Sequence, residues 1–555
     1  MPTSVFRISK NVCRLCSIIL ATNTTLYFKH YLVGFILCFY TIVSAQDKQG
    51  HNPIIYADVP DMSMIRVGDT YYMSSTTMHM SSTTMHMSPG VPIMKSKDLV
   101  NWQLVNYASN SLGDTDELNL VNGKSNYGKG SWASSLRYDN GFYYVETYAQ
   151  TTNKTYIYKT KDIEKGPWTV TEFTPGFHDC SLVFDNGHAY LITGNGKLNI
   201  VELKADLTGV KEGGINQVLI ENASAPAGDK IMLGAEGSQL FKVKDKYYLF
   251  NIVWPRGGMR TVLVHRADNL LGPWEGRIAL QDQGVAQGGI IDTPDGRWFA
   301  YLFQDHGAVG RIPFLVPMKW VDGWPVIGVD GKVPETLDLP ANKGLIPGIV
   351  NNDEFTRKKG EPKLPLVWQW NHNPNNSLWS VSERKGFLRL KTARIDTLFA
   401  KSRNTLTQRT FGPQCSGLTL LDVSNMKDGD FAGLSAFQRK FGQVGVKLVN
   451  GKKFIFMVSN KTDKPTELES VPLSQNNVYL KIECNFKDKI DVANFFYSLD
   501  GKTWILIGGP LKMEYTLMEH FMGYRFGLFN YASKNPGGFA DFDFFYISDQ
   551  ISKTN

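Results

Sequence analysis

A pattern of polar and apolar positions occurs five times between residues 61 and 299. Each copy has a polar residue or tryptophan, a spacer and a small residue, followed by an apolar run, a turn and a second apolar run with aromatic residues. Short apolar runs separated by turn residues such as Asn-Gly and Asp-Gly predict antiparallel hairpins. The copies begin at Asp61-Met-Ser63, Trp132-Ala-Ser134, Asp179-Cys-Ser181, Glu236-Gly-Ser238 and Gln287-Gly-Gly289.

The spacing of the copies indicates the size of the repeated unit. Their aromatic ends lie 46 to 72 residues apart, which is enough for one four-stranded sheet per copy. Repeats of this length that are rich in short strands are typical of β-propellers. The pattern therefore predicts a five-bladed β-propeller, which we place at residues 46–328.

The remainder of the chain has a different pattern. Residues 329–352 are rich in Pro and Gly and predict a linker. From residue 353 to residue 555 several strands, such as Val444–Val449 and Phe539–Ile547, follow one another without a long helical period. These strands predict a β-sandwich without an obvious catalytic constellation, and therefore an all-β fold for the chain.

Residues 1–45 predict an export signal. Basic residues precede the apolar run Tyr31–Val43, and small residues before Gln46 offer a cleavage site. The run is shorter than the roughly 20 apolar residues that span a membrane as a helix. We expect an exported protein, periplasmic or secreted, without a stable membrane anchor; the alternative is a signal that stays attached as an anchor.

The charge and the cysteine content argue against a nucleic-acid-binding protein and against a disulfide-rich protein. The formal net charge is +7, but four basic residues lie in the predicted signal, which leaves 55 basic against 52 acidic residues. This bias is too weak to indicate a nucleic-acid partner. Three cysteines follow the signal, Cys180, Cys415 and Cys484, and an odd number this far apart indicates no disulfide framework.

Equivalent positions of the repeat indicate where chemistry could occur. In a propeller the first strand of each blade lines the central channel, so the residues that open the five copies should converge. Three of them are carboxylates, and like charges in an apolar channel raise one another's pKa, which is typical of a functional site. For any single acid, a role in a turn or a cap is the alternative. The converging positions are Asp61, Trp132, Asp179, Glu236 and Gln287.

One segment breaks the repeat pattern. The heptapeptide Ser74–Met80 is followed at once by an identical copy, Ser81–Met87. An odd-length insertion would reverse the faces of a strand, so we expect it to loop out of the first blade. His79 and His86 together with four methionines could bind a metal, but a local duplication is the interpretation that we favour.

Several motifs resemble glycoside hydrolase family 43. That family has a five-bladed propeller, often followed by a lectin-like sandwich, so the resemblance implies a concanavalin-like β-sandwich for the second domain. It covers nearly the whole chain after the predicted signal, and three of the motifs occur in the family's order. The motifs are Asn52-Pro-Ile-Ile, Pro60-Asp-Met-Ser63, Trp132-Ala-Ser-Ser-Leu136, His178-Asp-Cys-Ser-Leu182, Ala235-Glu-Gly-Ser238 and Gly310-Arg311.

The resemblance implies roles for the three carboxylates. Asp61 is then the general base, Glu236 the general acid, and Asp179 the acid that orients Glu236 and keeps it protonated. An inverting glycosidase needs such a pair, because one ionised carboxylate activates water while one protonated carboxyl donates to the leaving oxygen. Asp58, three residues before Asp61, is the alternative general base.

Three further residues are expected to bind substrate. Arg311 matches a sugar-binding arginine of the family, and Trp132 could form the floor of a sugar site, although blade packing explains a tryptophan equally well. Many family members have a histidine where this chain has Ala286. Gln287 still offers an oxygen, so we expect no required cofactor and no catalytic metal, with a structural Ca²⁺ as a possibility.

The implied function is an exo-acting inverting enzyme that removes terminal α-L-arabinofuranosyl residues from plant hemicellulose, xylan or xyloglucan. Its partner is then an oligosaccharide or polysaccharide substrate. A β-D-xylosidase acting on xylo-oligosaccharides is the alternative. A fructan-cleaving propeller enzyme is disfavoured because its Asn-Asp-Pro-Asn-Gly and Arg-Asp-Pro motifs are not in the sequence. A propeller that binds carbohydrate without catalysis is the remaining rival.

Overall fold

Five antiparallel sheets of four strands follow one another along residues 63–327 and form the blades of a β-propeller. The computed structural model describes residues 49–76, 86–344, 348–462, 464–515 and 522–552. These belong to one unit that spans residues 49–555. The predicted five-bladed propeller is confirmed, whereas the predicted export signal lies outside the described residues. None of the helices in the described ranges is long and apolar enough to cross a membrane.

The blades take their strands in chain order. Blade 1 contains β2, β3, β5 and β6, and blades 2 to 5 contain β7–β10, β11–β14, β15–β18 and β19–β22. The bounds are β1 (Gly50–His51), β2 (Ser63–Val67), β3 (Thr70–Ser74), β4 (Met87–Ser88), β5 (Gly90–Ser96), β6 (Gln103–Ser109), β7 (Ser131–Asp139), β8 (Phe142–Ala149), β9 (Lys154–Thr160), β10 (Thr169–Phe173), β11 (Ser181–Asp185), β12 (His188–Asn195), β13 (Lys197–Leu203), β14 (Asn216–Ile220), β15 (Ile231–Val243), β16 (Lys246–Pro255), β17 (Thr261–Ala267), β18 (Glu275–Leu280), β19 (Ala286–Asp292), β20 (Trp298–Asp305), β21 (Arg311–Val321), β22 (Trp324–Ile327) and β23 (Thr336–Leu337).

The hairpin turns form where the Asn-Gly pairs predict them. Asn140 and Gly141 join β7 to β8 with φ values of 47° and 78°. Asn186 and Gly187 join β11 to β12 with φ values of 50° and 78°. Two successive positive φ angles are typical of the type I′ turn, whose twist matches that of the flanking strands. Local turn chemistry therefore places the first two strands of these blades.

Serine hydroxyls connect the inner strands of neighbouring blades and reveal which residues are equivalent. Each hydroxyl accepts a hydrogen bond from a main-chain N–H of the next blade, at 3.0 Å in all three cases. The pairs are Ser63 with Leu136, Ser135 with Leu182, and Ser181 with Leu240.

This register corrects the expected equivalence in two blades. Counting back two residues from Ser63, Ser135 and Ser181 gives Asp61, Ala133 and Asp179. Leu240 donates to the preceding blade as Leu136 and Leu182 do, which places Gly237 at the same position, and Gln287 has a similar positive φ. Trp132 and Glu236 therefore lie one residue before the equivalent position, and the prediction that they occupy it was wrong. The pairing register is irregular in both segments, between Ser131 and Ser134 in β7 and between Glu236 and Gln239 in β15.

The sandwich consists of two large antiparallel sheets. The first has the order β32-β31-β30-β29-β37-β27-β24-β4, and the second has the order β25-β26-β38-β28-β33-β34-β35, with β36 also paired to β34. The bounds are β24 (Gln369–Asn371), β25 (Trp379–Ser380), β26 (Leu388–Lys391), β27 (Leu406–Arg409), β28 (Gln414–Asp422), β29 (Asp430–Phe437), β30 (Gly442–Val449), β31 (Lys452–Ser459), β32 (Thr466–Pro472), β33 (Asn477–Asn485), β34 (Val492–Ser498), β35 (Ile505–Leu506), β36 (Leu511–Lys512), β37 (Arg525–Ala532) and β38 (Phe539–Ser548).

The duplicated heptapeptide begins in one domain and ends against the other. Strand β3 of blade 1 ends at Ser74, the first residue of the first copy. Strand β4 contains Met87, the last residue of the second copy, and pairs with β24 at the edge of a sandwich sheet. Residues 77–85 between these ends, including His79, lie outside the described residues. The ends of the duplication thus connect blade 1 to the sandwich.

The predicted linker also takes part in pairing. Strand β23, at Thr336–Leu337, pairs with β1 near the start of the described chain. The main-chain N–H of Leu104 in β6 donates to the carbonyl of Gly348 at 3.1 Å. The described part of residues 329–352 therefore runs along the blades. Four 3-10 turns complete the described elements, at Ala225–Ala227, Gly307–Val309, Phe399–Lys401 and Lys487–Lys489.

Candidate active site

The five equivalent positions of the inner strands meet around a small cavity on the propeller axis. Its lining includes Asp61, Ala133, Asp179, Gly237 and Gln287. Asp61, Asp179 and Gln287 have φ values of 52°, 48° and 52°, and Gly237 has a φ of 62°. A Cβ atom at Gly237 would lie 2.9 Å from the Gln287 side chain, so glycine is required there. The repeated backbone geometry brings two of the predicted carboxylates to one place.

Asp61 is buried and engaged at both oxygens. Its Oδ1 lies 3.1 Å from Nη1 of Arg311. Its Oδ2 accepts a hydrogen bond of 3.1 Å from the hydroxyl of Thr76, which belongs to the first heptapeptide copy. Because Arg311 is permanently charged, this ion pair favours the ionised form of Asp61. An ionised, oriented carboxylate is what a general base requires.

Arg311 lies at the start of β21 and has no exposed side-chain surface. Its Nε donates to Oδ1 of Asp305 at 2.9 Å. Burial alone would lower the pKa of Arg311, but Asp305, Tyr515 and Asp61 together outweigh it and raise that pKa. The structure therefore favours a role for Arg311 in holding Asp61 over direct contact with a sugar.

Asp58, the alternative base, has a different environment. Its Oδ1 accepts the main-chain N–H of Arg311 at 2.8 Å, and its Oδ2 accepts that of Gly523 in the sandwich at 3.0 Å. Its own carbonyl accepts Nε of Arg409, also in the sandwich, at 3.0 Å. Burial raises the pKa of Asp58 despite the two N–H donors. These contacts identify Asp58 as a residue that joins the two domains.

Glu236 lies in β15 with its side chain almost fully buried. Its Oε2 accepts Nδ2 of Asn195 at 2.6 Å and lies 3.5 Å from Nε2 of His178. Its Oε1 is buried and has no hydrogen-bond partner among the described residues. The two oxygens therefore differ, because Oε2 has polar neighbours and Oε1 has none among the described residues.

His178 connects Glu236 with Asp179. Its Nδ1 lies 3.6 Å from Oδ1 of Asp179. Burial of the ring opposes protonation, but Asp179, Glu236 and Asp61 outweigh it and raise the pKa of His178 to about 9. The carboxyl groups around the ring therefore favour the protonated form of His178. Trp132 packs edge-on against the His178 ring at a centroid distance of 4.4 Å.

A fourth carboxyl lies behind Asp179. Glu146 of β8 is fully buried, and neither of its oxygens has a hydrogen-bond partner among the described residues. Burial and the nearby Asp179 raise the pKa of Glu146 well above its ordinary value, although Arg137 acts in the opposite direction. Burial and the neighbouring Asp179 therefore favour the neutral form of Glu146.

Of the residues predicted to bind substrate, Trp132 and Gln287 are also nearly buried, with 4% of each exposed. Trp132 packs against Tyr148 at a centroid distance of 6.2 Å in addition to His178. These contacts place Trp132 beside the catalytic candidates, where it fixes the orientation of the imidazole. Gln287 lines the axial cavity.

Among the described residues, one group of side chains could hold a metal ion, namely His178, Asp179 and Glu236, whose candidate ligand atoms lie within 4.8 Å of one another. Calcium prefers a shell of oxygen ligands, whereas this group includes a histidine whose protonated form is favoured by its carboxyl neighbours. The group is therefore a poor match for calcium.

Sequence reasoning missed the roles of three neighbours of the carboxylates. His178 stands within a family-like motif, but nothing in the motif indicates that its ring bridges two acids. Asn195 precedes a glycine and has the sequence signature of a turn. Glu146 lies in a strand of mostly aromatic and apolar residues. A single acidic residue in such a strand is unusual, and this was a signal available in the sequence.

Comparisons with known proteins agree with this geometry. The sequence model of the glycosyl hydrolases family 43 matches residues 50–325. A model for the β-xylosidase C-terminal concanavalin A-like domain matches residues 352–548. The chain belongs to glycosyl hydrolase family 43. The concanavalin-like character of the second domain in this family 43 protein is thereby confirmed.

The relatives of this family 43 chain include proteins named as β-xylosidases and one named as an α-L-arabinofuranosidase. A β-xylosidase from Formosa agariphila is 29% identical over 89% of this chain and 89% of its own. A non-reducing end α-L-arabinofuranosidase from Bacteroides ovatus is 29% identical over 64% of this chain and 67% of its own. A solved structure described as a bifunctional GH43-CE protein of Bacteroides eggerthii is 66% identical, with a TM-score of 0.88 over 91% of this chain. The present chain spans 64% of the length of that protein.

Proposed function

We propose that this family 43 chain is an exo-acting, inverting glycosidase that releases terminal pentosyl residues from plant hemicellulose of the xylan type. Asp61 takes a proton from the attacking water, and Glu236 donates a proton to the glycosidic oxygen that leaves. Asp179 and His178 position Glu236. The observation that carries the proposal is the contrast between Asp61, which is ion-paired with Arg311, and Oε1 of Glu236, which has no hydrogen-bond partner among the described residues.

The hydrogen bonds define a direction for the proton transfer. Asn195 and His178 both approach Oε2 of Glu236. They fix the carboxyl plane and leave Oε1 as the donor atom. After the transfer, the cationic His178 stabilises the carboxylate that has formed, because an opposite charge within about 4 Å favours the ionised state. Glu236 thus donates its proton from Oε1, whereas the charge of the resulting carboxylate is stabilised at Oε2.

We place β-D-xylosyl units first among the pentoses. The Formosa agariphila relative named β-xylosidase aligns with 89% of this chain, and a Xylanibacter ruminicola protein named as a putative β-xylosidase aligns with 82% of it. The α-L-arabinofuranosidase named in Bacteroides ovatus is equally identical over a shorter span. For that reason the α-L-arabinofuranosyl unit expected from the sequence remains the second candidate.

An exo mode agrees with the position of the sandwich. The main-chain N–H of Gly523 donates to Asp58, three residues from Asp61. The main-chain N–H of Tyr524 donates to the carbonyl of Ala308, near Arg311, at 3.0 Å. The sandwich therefore packs beside the segments that carry the candidate base and its arginine. Because the sandwich closes this side of the site, we expect a pocket that admits one end of a substrate chain, not an open cleft.

The test is a comparison of kcat/KM on 4-nitrophenyl β-D-xyloside and 4-nitrophenyl α-L-arabinofuranoside, with the first-formed anomer identified by NMR. We expect turnover of at least one substrate and release of the inverted anomer. Retention of configuration would contradict the assigned pair of roles. A folded protein that binds xylo-oligosaccharides but hydrolyses neither substrate would favour the non-catalytic propeller.

The matched variant for the acid is Glu236→Gln. An amide cannot donate the required proton, so we expect a loss of about 10² to 10⁴-fold on substrates with poor leaving groups. Substrates with strongly acidic leaving groups need less protonation, and their loss should be much smaller. Equal losses on both kinds of substrate would assign Glu236 a binding role instead.

A further inference from the structure

Two buried cysteines lie opposite each other in the sandwich. Cys415 of β28 pairs in register with Cys484 of β33, the neighbouring antiparallel strand. Both are free thiols with 0% exposure. Burial raises the pKa of the Cys484 thiol well above its ordinary value, and so does the hydrogen bond that joins it to Cys415. Residues that are remote in sequence thus become direct neighbours.

The backbone geometry of this pair suits a covalent bond. Directly opposed residues of an antiparallel ladder have Cα atoms roughly 4.5 or 5.5 Å apart, depending on the hydrogen-bonding position. A disulfide accepts Cα separations of about 4.4 to 6.8 Å. Opposed side chains also emerge on the same face of the sheet. The register of β28 and β33 therefore places Cys415 and Cys484 within the range of Cα separations that a disulfide spans.

We propose that Cys415 and Cys484 are an oxidisable pair that forms a cross-strand disulfide when the chain folds in the presence of a disulfide oxidant. One cysteine thiolate attacks the oxidant, forms a mixed disulfide and expels one thiol. The second cysteine then attacks the mixed disulfide at the protein sulfur and expels the other thiol. The two cysteines lose two protons and two electrons, and the oxidant's disulfide is reduced to two thiols.

Burial determines when this reaction takes place. Neither thiol is exposed in the folded sandwich, so the oxidant reaches them before the sheets close. The bond joins β28 to β33 and closes the segment that contains β29 to β32. Cross-linking a long segment restricts the unfolded chain and stabilises the native state. This inference is independent of the proposed function, because it concerns the sandwich and is tested without turnover.

Refolding in a glutathione redox buffer tests the pair. The full chain is reduced, unfolded and refolded with a mixture of reduced and oxidised glutathione, then alkylated with iodoacetamide and mapped by mass spectrometry. We expect a linked peptide pair that contains Cys415 and Cys484, and an alkylated Cys180. We also expect a Tm about 5 °C or more above that of the same protein folded in dithiothreitol.

Two variants distinguish a disulfide between Cys415 and Cys484 from general effects of oxidation. Cys180→Ser removes an isolated buried cysteine and should preserve both the linked peptides and the Tm difference. Cys415→Ser should abolish both. Peptide mapping of the chain without substitutions decides the outcome even if Cys415→Ser fails to fold. Folded protein with Cys415 and Cys484 free, linked to Cys180 or capped singly by glutathione would overturn the inference.

Discussion

Nη1 of Arg311 lies 3.1 Å from Oδ1 of Asp61, and the main-chain N–H of the same arginine donates to Asp58 at 2.8 Å. One residue therefore contacts both candidates for the general base, but in different ways. The guanidinium supplies a charge to Asp61, whereas the backbone supplies a structural hydrogen bond to Asp58. This difference supports Asp61 as the proposed general base and Asp58 as a contact between the domains.

Matched substitutions of the two aspartates should separate their roles. Asp61→Asn removes the proposed base, and we expect kcat/KM to fall about 10³-fold or more, together with a lower Tm because buried Arg311 loses a charged partner. Asp58→Asn places an amide against two N–H donors, and we expect a loss of about 1 to 3 kcal/mol in unfolding free energy with a smaller loss of activity. Kinetics and denaturant unfolding of both variants measure these effects. An Asp58→Asn protein of normal stability without activity would reverse the assignment.

His178 should make stability depend on pH above neutrality. Its pKa rises from 6.5 to about 9 on folding, so the native state binds the proton more tightly than the unfolded state. The resulting stabilisation is fully present below about pH 6.5 and is lost as the pH rises through about 9. Denaturant unfolding at pH 6, 8 and 10 should show this loss, and His178→Gln should flatten it. The control His188→Gln, which removes an exposed ring, should keep the pH dependence of the parent.

Asn195 should affect the proton-donating step. Its amide donates to Oε2 of Glu236 at 2.6 Å and holds the carboxyl group in place. In Asn195→Ala the carboxyl group loses this contact, so kcat should fall on substrates with poor leaving groups. Exposed Asn216→Ala serves as the control. An unchanged kcat in the Asn195 variant would mean that this hydrogen bond plays no part in catalysis.

Glu146 should tolerate an amide. Because burial and Asp179 keep it neutral, Glu146→Gln preserves both charge and shape. We expect kcat/KM to stay within about threefold of the parent and Tm to change little. The neighbouring substitution Asp179→Asn removes a charge and should cost at least about 10²-fold in kcat/KM. A large loss in the Glu146 variant would show that this carboxyl is ionised in the working enzyme.

Chelation should leave the activity in place. The carboxyl neighbours of His178 favour its protonated form, and a cationic ring repels a second cation. Dialysis against EDTA should therefore keep kcat within about twofold, a difference that kinetic assays resolve well. Added Ca²⁺ could still raise Tm through a structural site, and differential scanning calorimetry measures that effect separately. Loss of kcat that Ca²⁺ restores would contradict the metal-independent mechanism.

Much of the fold was predictable because the relevant interactions are local. The Asn140-Gly141 and Asn186-Gly187 pairs adopt the positive φ angles of tight hairpins in any sheet, so the strands and their repeat follow from the sequence. The repeat count indicated five blades, and the change of pattern near residue 353 indicated the sandwich. Asp61 and Asp179 lie at equivalent positions, as their shared Asp-x-Ser spacing predicted.

The tertiary structure decided what depends on partners far away in sequence. Trp132 and Glu236 lie one residue before the equivalent position, and only the hydrogen bonds between neighbouring blades reveal this offset. The bridge through His178, the arginine on Asp61 and the opposed pair of Cys415 and Cys484 all join separate segments. Residue types and local spacing determined the repeats and the candidate acids. Contacts between strands and between domains, which no local pattern encodes, determined which of these residues meet.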